Sequence, residues 1–175
     1  MLEELSHRLA TPDDLDSLRG LMAAAIGKLQ RGFLDERQIA ASRMIMGMDR
    51  QLILDGTYFV ALRDGAIAGC GGWSRRATLF GGDHSGGRNP AMLDPVTDAA
   101  RIRAMYTHPD HARRGVGRFI LSLCEAQARQ AGFRRVELAG TLAGEPLYHT
   151  CGYSVIERFT AGDGVPLLRM GKPLA

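Results

Sequence analysis

The residues best suited to chemistry stand together in Arg113-Arg114-Gly115-Val116-Gly117-Arg118. Before them, Arg101 to Tyr106 alternates with period two, as a strand does. After them, Val116, Ile120, Leu123, Cys124, Ala128 and Ala131 recur at helical spacing. The first turn of a helix leaves backbone N–H groups unpaired and carries partial positive charge. A strand, a glycine turn and a helix start therefore make an anion site, with phosphate as the natural guest. Glycine at 115 and 117 lets the backbone approach such a guest closely, and three arginines add charge. Alone, the run also reads as a tight turn into a helix. Two other phosphate motifs do not fit. A Walker loop needs Gly-Lys-Ser/Thr, and a dinucleotide fingerprint needs a third glycine where Ile120 stands.

The rest of the chain must position that turn. His7 to Ala10 reads as a first strand. Thr11-Pro12-Asp13-Asp14 reads as a helix start, followed by Leu15, Leu18, Met22, Ile26 and Leu29 at helical spacing. Asp35 and Gln38 form a second capping signal, with Leu34 and Ile39 as its hydrophobic staple. Helical texture then continues, broken near Gly47, to Asp55-Gly56. Tyr58 to Leu62 and Ala66 to Trp73 read as a hairpin around Asp64-Gly65. Gly69, Gly71 and Gly72 in the returning strand predict close backbone approach or a bulge. Residues 74–99 form a long insertion, read as a surface loop, a lid over a second substrate, or a dimer contact. In the strand that follows, Ile102, Ala104 and Tyr106 are expected on one face and Arg101, Arg103 and Met105 on the other. Val136 to Ala139, a short helix over Pro146 to Cys151, and strands near 153–160 and 166–171 complete the order.

Composition is ordinary for one globular domain: 175 residues, 45% hydrophobic and 23% charged. The net charge of +3 is spread along the chain, without a basic block interleaved with aromatics, so nucleic acid is not expected as a partner. Cys70, Cys124 and Cys151 are too scattered for a disulfide framework or a metal site. Free thiols fit a reducing cytosol, and the expected location is cytoplasmic. Met1 to Leu5 lacks the pattern of a signal peptide, and no run is long and apolar enough to span a bilayer.

With these elements in order, Tyr106 to Arg118 resembles the central signature of the GCN5-related N-acetyltransferase (GNAT) family, Gln/Arg-x-x-Gly-x-Gly/Ala after a strand and a Pro-containing turn. Leu147 to Tyr153 resembles the family's Tyr-x-x-x-Gly-Phe/Tyr element, and Pro166 to Lys172 its last strand. One position departs: Ala112 stands where Gln or Arg is usual. The resemblance implies a single α/β domain over 1–175, its core about 7–172, with a mixed, mostly antiparallel sheet flanked by helices on both faces. It implies acetyl-CoA as co-substrate and no metal. Met105, Tyr106, Thr107, Arg113, Arg114, Gly115, Val116, Gly117 and Arg118 would bind it. The strand ending at 105–107 would splay from the strand at 136–139 to admit the pantetheine arm. A backbone N–H near Met105 would polarise the thioester carbonyl. An uncharged amine would attack directly, and Tyr148 would protonate the departing thiolate, unless it is a packed aromatic. Glu137, Asp98, His108 and His149 are candidates for the base, with Glu137 placed first. Arg101 and Arg103 form a solvated or ion-paired face, or one of them joins Arg75 or Arg76 in recognising a carboxylate on the acceptor. Trp73 belongs to the core or lines the acceptor pocket. The expected partners are a small-molecule or peptide amine and, through the insertion, a second copy of the chain as a homodimer. No membrane partner is expected. A non-catalytic acyl-CoA-binding or regulatory module is the alternative.

Overall fold

The computed structural model describes residues 4–174, so Met1 to Glu3 of the segment read for a signal lie outside it. Strand β1 is Ser6–Leu9. The Thr11 signal opens a 3-10 turn, Pro12–Asp14, that leads into helix α1, Leu15–Leu29. The Asp14 carboxylate accepts from the Thr11 N–H at 2.8 Å, which satisfies one orphan donor of the helix start. Helix α2, Glu36–Ser42, begins at the expected capping box: Asp35 accepts from the Gln38 N–H at 2.7 Å, and Gln38 accepts from the Asp35 N–H at 3.0 Å. Helix α3 is Arg50–Leu54, capped by Asp49.

Strands β2, Tyr58–Arg63, and β3, Ala66–Ser74, form the hairpin. Both turn residues, Asp64 and Gly65, have positive φ, as a two-residue turn between twisted strands requires. Then come β4, Ala100–Thr107; α4, Val116–Gln130; β5, Arg135–Thr141; α5, Glu145–Thr150; β6, Ser154–Ala161; and β7, Val165–Pro173. The seven strands form one sheet in the order β1-β2-β3-β4-β5-β7-β6. Among the described strands, only the β4–β5 pairing is parallel.

Helices cover both faces. One core joins Val116, Ile120, Leu121 and Cys124 of α4 to Phe59, Trp73, Ile102 and Leu138 of the sheet. The opposite core joins Leu18, Met22 and Ile26 of α1 to Tyr58, Val60 and Tyr106. The glycines of β3 set the spacing under α4. A Cβ on Gly69 would stand 2.5 Å from the Val116 methyl, and one on Gly71 2.8 Å from Ile120. Side chains there would push α4 off the sheet.

Strand β4 departs from simple alternation. Cys70 pairs with Tyr106 and Gly72 with Arg103, so Gly71 alone faces both Ala104 and Met105. This is a β-bulge, and Ala104 takes φ 49° within it. The bulge moves the later residues to the other side. Ile102 and Met105 pack toward α4, while Ala104 and Tyr106 pack toward α1. The expected shared face of Ile102, Ala104 and Tyr106 is thereby corrected: one inserted residue shifts the period-two register.

Candidate functional site

The parallel pairing of β4 and β5 is short. Ala100 faces Val136 and Arg101 faces Glu137, and beyond these the two strands part. Between them opens a cleft of about 750 Å³. Residues 102–107 of β4 line one wall, and Leu138, Ala139 and Thr141 of β5 line the other. Parting leaves backbone donors and acceptors on the β4 edge unclaimed by a neighbouring strand, which a buried edge must satisfy with some partner. A ligand lying along the gap can supply one.

One end of the cleft is the glycine turn. Ala112, Arg113, Gly115, Val116, Gly117 and Arg118 all line it, while Arg114 does not. The helix start at Gly115 carries no side-chain cap. The donors of the first turn are therefore available to an anion, and α4 is long enough for its dipole to help. Two residues turn the chain left-handed here, Arg113 at φ 59° and Gly115 at φ 84°. Gly115 is there for its backbone freedom, with nothing within 4 Å of where a Cβ would stand. Gly117 answers a different need. A Cβ on it would meet Leu147 at 2.6 Å, so this glycine seats α5 against α4. The turn is also held from β2. Buried Arg63 donates to the Arg114 carbonyl at 3.0 Å and faces Nδ1 of His111 at 3.2 Å. Burial, then the charge of Arg63, lowers the His111 pKa.

Tyr148 lines the same cleft from α5. Its ring lies against Gly140 and Gly144, where a Cβ would come within 3.0 and 2.9 Å of it. It meets Tyr153 edge-on at 5.9 Å. Burial pushes its hydroxyl up to about 12, so the phenol holds its proton throughout the neutral range.

The other predicted site residues are dispersed. Glu137 is buried and takes Arg101 at 2.9 Å and Arg169 at 2.6 Å, away from the cleft lining. His108 accepts from the Asp110 N–H, His149 pairs with Glu145 at 2.9 Å, and Asp98 accepts from the Asp94 N–H. None of these three lines the cleft. Trp73 is core: it packs on Phe133 and donates to Gln127 at 2.8 Å. Arg75 lies over the Trp73 ring. Arg76 pairs with Asp55 at 2.8 Å. Arg103 does border the cleft, but its guanidinium is engaged with Asp49 at 3.1 Å and the Gly81 carbonyl.

Sequence reasoning did not find Arg63, Asp49 or the Gly140–Gly144 seat. Arg63 and Asp49 act on partners far along the chain, and the glycine seat forms only when α5 folds back on the end of β5. The 74–99 insertion is anchored rather than loose. Arg88 pairs with Asp49 at 2.9 Å, Arg50 pairs with Asp83, and Phe80 packs on Phe159. Its Leu79, Phe80 and Gly81 form part of the cleft wall.

A turn that offers a helix start to an anion, beside parted strands and a buried phenol, is the arrangement of a class of acyl-CoA-dependent transferases. The acetyltransferase (GNAT) family model matches residues 25–153, and the chain belongs to that family. Solved structures agree in fold. A GCN5-related N-acetyltransferase from Rhodopseudomonas palustris superposes with TM-score 0.73 at 19% identity, covering 99% of this chain and 98% of that one. The PaiA N-acetyltransferase of Thermoplasma acidophilum, in complex with coenzyme A, gives 0.65 at 13% identity, covering 97% and 99%. The yncA protein of Salmonella typhimurium, with its cofactor acetyl-CoA, gives 0.62 at 19% identity, covering 98% and 94%. No curated protein sequence matches the chain.

Proposed function

We propose that the protein transfers an acetyl group from acetyl-CoA to a primary amine, by direct attack within a ternary complex. The observation that carries this reading is that the glycine turn, the parted β4–β5 edge and Tyr148 all line one cleft. The pyrophosphate is assigned to the first turn of α4, with Arg113 and Arg118 beside it. The pantetheine arm is assigned to the gap along Met105, Tyr106 and Thr107. There the bulge at Ala104 frees backbone groups, and the Met105 N–H is assigned to the thioester carbonyl as an oxyanion donor.

The bound acetyl-CoA supplies an activated acyl carbon. The amine nitrogen forms the new C–N bond as the C–S bond breaks, and the electron pair goes to sulfur. Tyr148 donates its O–H to that sulfur. A phenol at about 12 is less acidic than a thiol at about 8.5, so it chiefly stabilises the departing thiolate by a hydrogen bond. The proton that ends on sulfur is then balanced by the one the amine nitrogen loses.

No Asp, Glu or His occurs among the described residues that line the cleft. An amine arriving in its neutral form, or water leading to solvent, takes the place of a base. The same observation is what favours the second reading, an acyl-CoA-binding module without turnover. A thiol-release assay with an amine panel separates them. Tyr148→Phe is expected to lower kcat about a hundredfold at high pH while leaving CoA affinity nearly unchanged. Unchanged turnover would remove Tyr148 from the mechanism. Absence of amine-dependent thiol release from the parent protein would favour the binding module.

A further inference from the structure

Beyond the phosphate turn and Tyr148, the cleft continues into a second half. It is bounded by the last turns of α1, the segment between α2 and α3, and the 75–99 insertion. Its wall is apolar: Leu29, Phe33, Ile45, Met46, Leu79 and Phe80. Phe33 is half exposed and lies in this apolar lining, so a ligand in this half would cover it. The wall is also built in advance. Asp49, 1% exposed at its side chain, takes both Arg88 and Arg103, and Arg103 holds the Gly81 carbonyl. Phe80 is fixed against Phe159 of β6 at 5.8 Å. A preformed apolar wall selects its ligand by shape and hydrophobicity.

Charge narrows the choice further. Among the described residues, the charged ones lining the whole cleft are Lys28, Arg103, Arg113 and Arg118, all cationic. Asp49 is shared between Arg88 and Arg103, so that cluster stays cationic, and Arg113 and Arg118 lie at the phosphate end. Lys28 stands at the rim of the apolar half, and no ion pair to it occurs among the described residues. Gln30 also lines this half; its amide nitrogen is tied to Ser42 at 3.1 Å, and its carbonyl oxygen is buried with no hydrogen-bond partner among the described residues. A substrate with a second ammonium group would lose hydration here and gain no carboxylate in return.

We propose that the acceptor is a primary amine with an aromatic or comparably bulky apolar body and no second positive charge. Polyamines and lysine-rich peptides are excluded by the same wall. The inference rests on the acetyltransferase reading above and specifies its second substrate.

The test compares kcat/KM for phenethylamine, spermidine and a lysine-containing peptide, whose amines are similar in basicity, using the full chain and saturating acetyl-CoA. Phenethylamine is expected to lead spermidine by about a hundredfold, since each methylene-sized gain in an apolar site is worth about tenfold or more. Phe33→Ser changes a half-exposed side chain, so folding, checked by circular dichroism, should persist. It is expected to raise KM for phenethylamine about tenfold and leave the CoA dissociation constant unchanged. Preference for spermidine or the peptide would overturn the proposed acceptor class while leaving acetyl transfer intact. So would a Phe33→Ser variant with parental KM. Binding of CoA with no amine acetylated would instead overturn the transferase reading, and the acceptor class with it.

Discussion

The bulge in β4 makes a sharp demand on one hydroxyl. Ala104 sits at φ 49°, a left-handed conformation that costs a residue with a Cβ about 1–2 kcal/mol. Its carbonyl is met by the Tyr58 hydroxyl at 2.7 Å, and Tyr58 is 1% exposed. Tyr58→Phe removes that donor without opening a cavity. The Ala104 carbonyl, part-buried beside the cleft, is then left without its donor, at a cost of about 1–3 kcal/mol. For a domain of this size, about 2 kcal/mol corresponds to a fall in Tm of roughly 4–8 °C. The effect should reach function, because Met105 follows Ala104 directly and its N–H is assigned to the thioester. We expect thermal melting to show the fall in Tm, and thiol release below the melting range to show a kcat reduced about tenfold. The CoA dissociation constant should change little, since the phosphate turn is held separately by Arg63. A variant with parental Tm and parental kcat would refute the link between Tyr58, the bulge and the carbonyl donor.

Two further outcomes follow from the packing and charges. Gly69→Val places a Cβ 2.5 Å from Val116 and 3.0 Å from the Tyr106 carbonyl, so α4 must lift from β3. Urea unfolding should show a loss of about 1–3 kcal/mol or more, and CoA titration a weaker dissociation constant. Near the N-terminus, the Arg8 guanidinium holds Asp14 down to about 2. A lowered carboxylate pKa stabilises the fold above its unfolded value near 3.9, and that contribution is lost as pH falls from about 4 toward 2. With Arg8 half in solvent, the contribution is about 1 kcal/mol. Asp14→Asn should therefore flatten the stability profile over this interval, as urea midpoints measured from pH 6 down to 2 would show.

What the sequence disclosed was local. The Asp35–Gln38 box and the Asp64-Gly65 turn are written in adjacent residues whose own backbone chemistry decides the outcome. The glycine turn belongs with them, as does the sense that Gly69 and Gly71 mark a close approach. What it did not disclose depends on partners far along the chain. Ala104 gives no sign of a left-handed backbone, because the hydroxyl that meets its carbonyl lies 46 residues away in Tyr58. The period-two reading of β4 therefore held only up to the bulge. Arg103 resembles a substrate-binding arginine until Asp49 is placed against it, and Glu137 resembles a base until Arg101 and Arg169 close on it. The 74–99 insertion has little periodicity, and its order comes from ion pairs to α3 and the segment before it. Gly117 was legible as a glycine that matters, but its reason, the approach of Leu147, belongs to tertiary packing.

The glycine turn, the parted strands and Tyr148 meet in one chemical claim, that acetyl groups pass from thioester to amine in this cleft. The most direct measurement follows the label of acetyl-CoA carrying isotopic carbon in its acetyl group, by mass spectrometry, in the presence of an amine. The account predicts one labelled acetyl on the amine nitrogen for each CoA thiol released. Label that stays on the thioester, or appears only as free acetate, would contradict it.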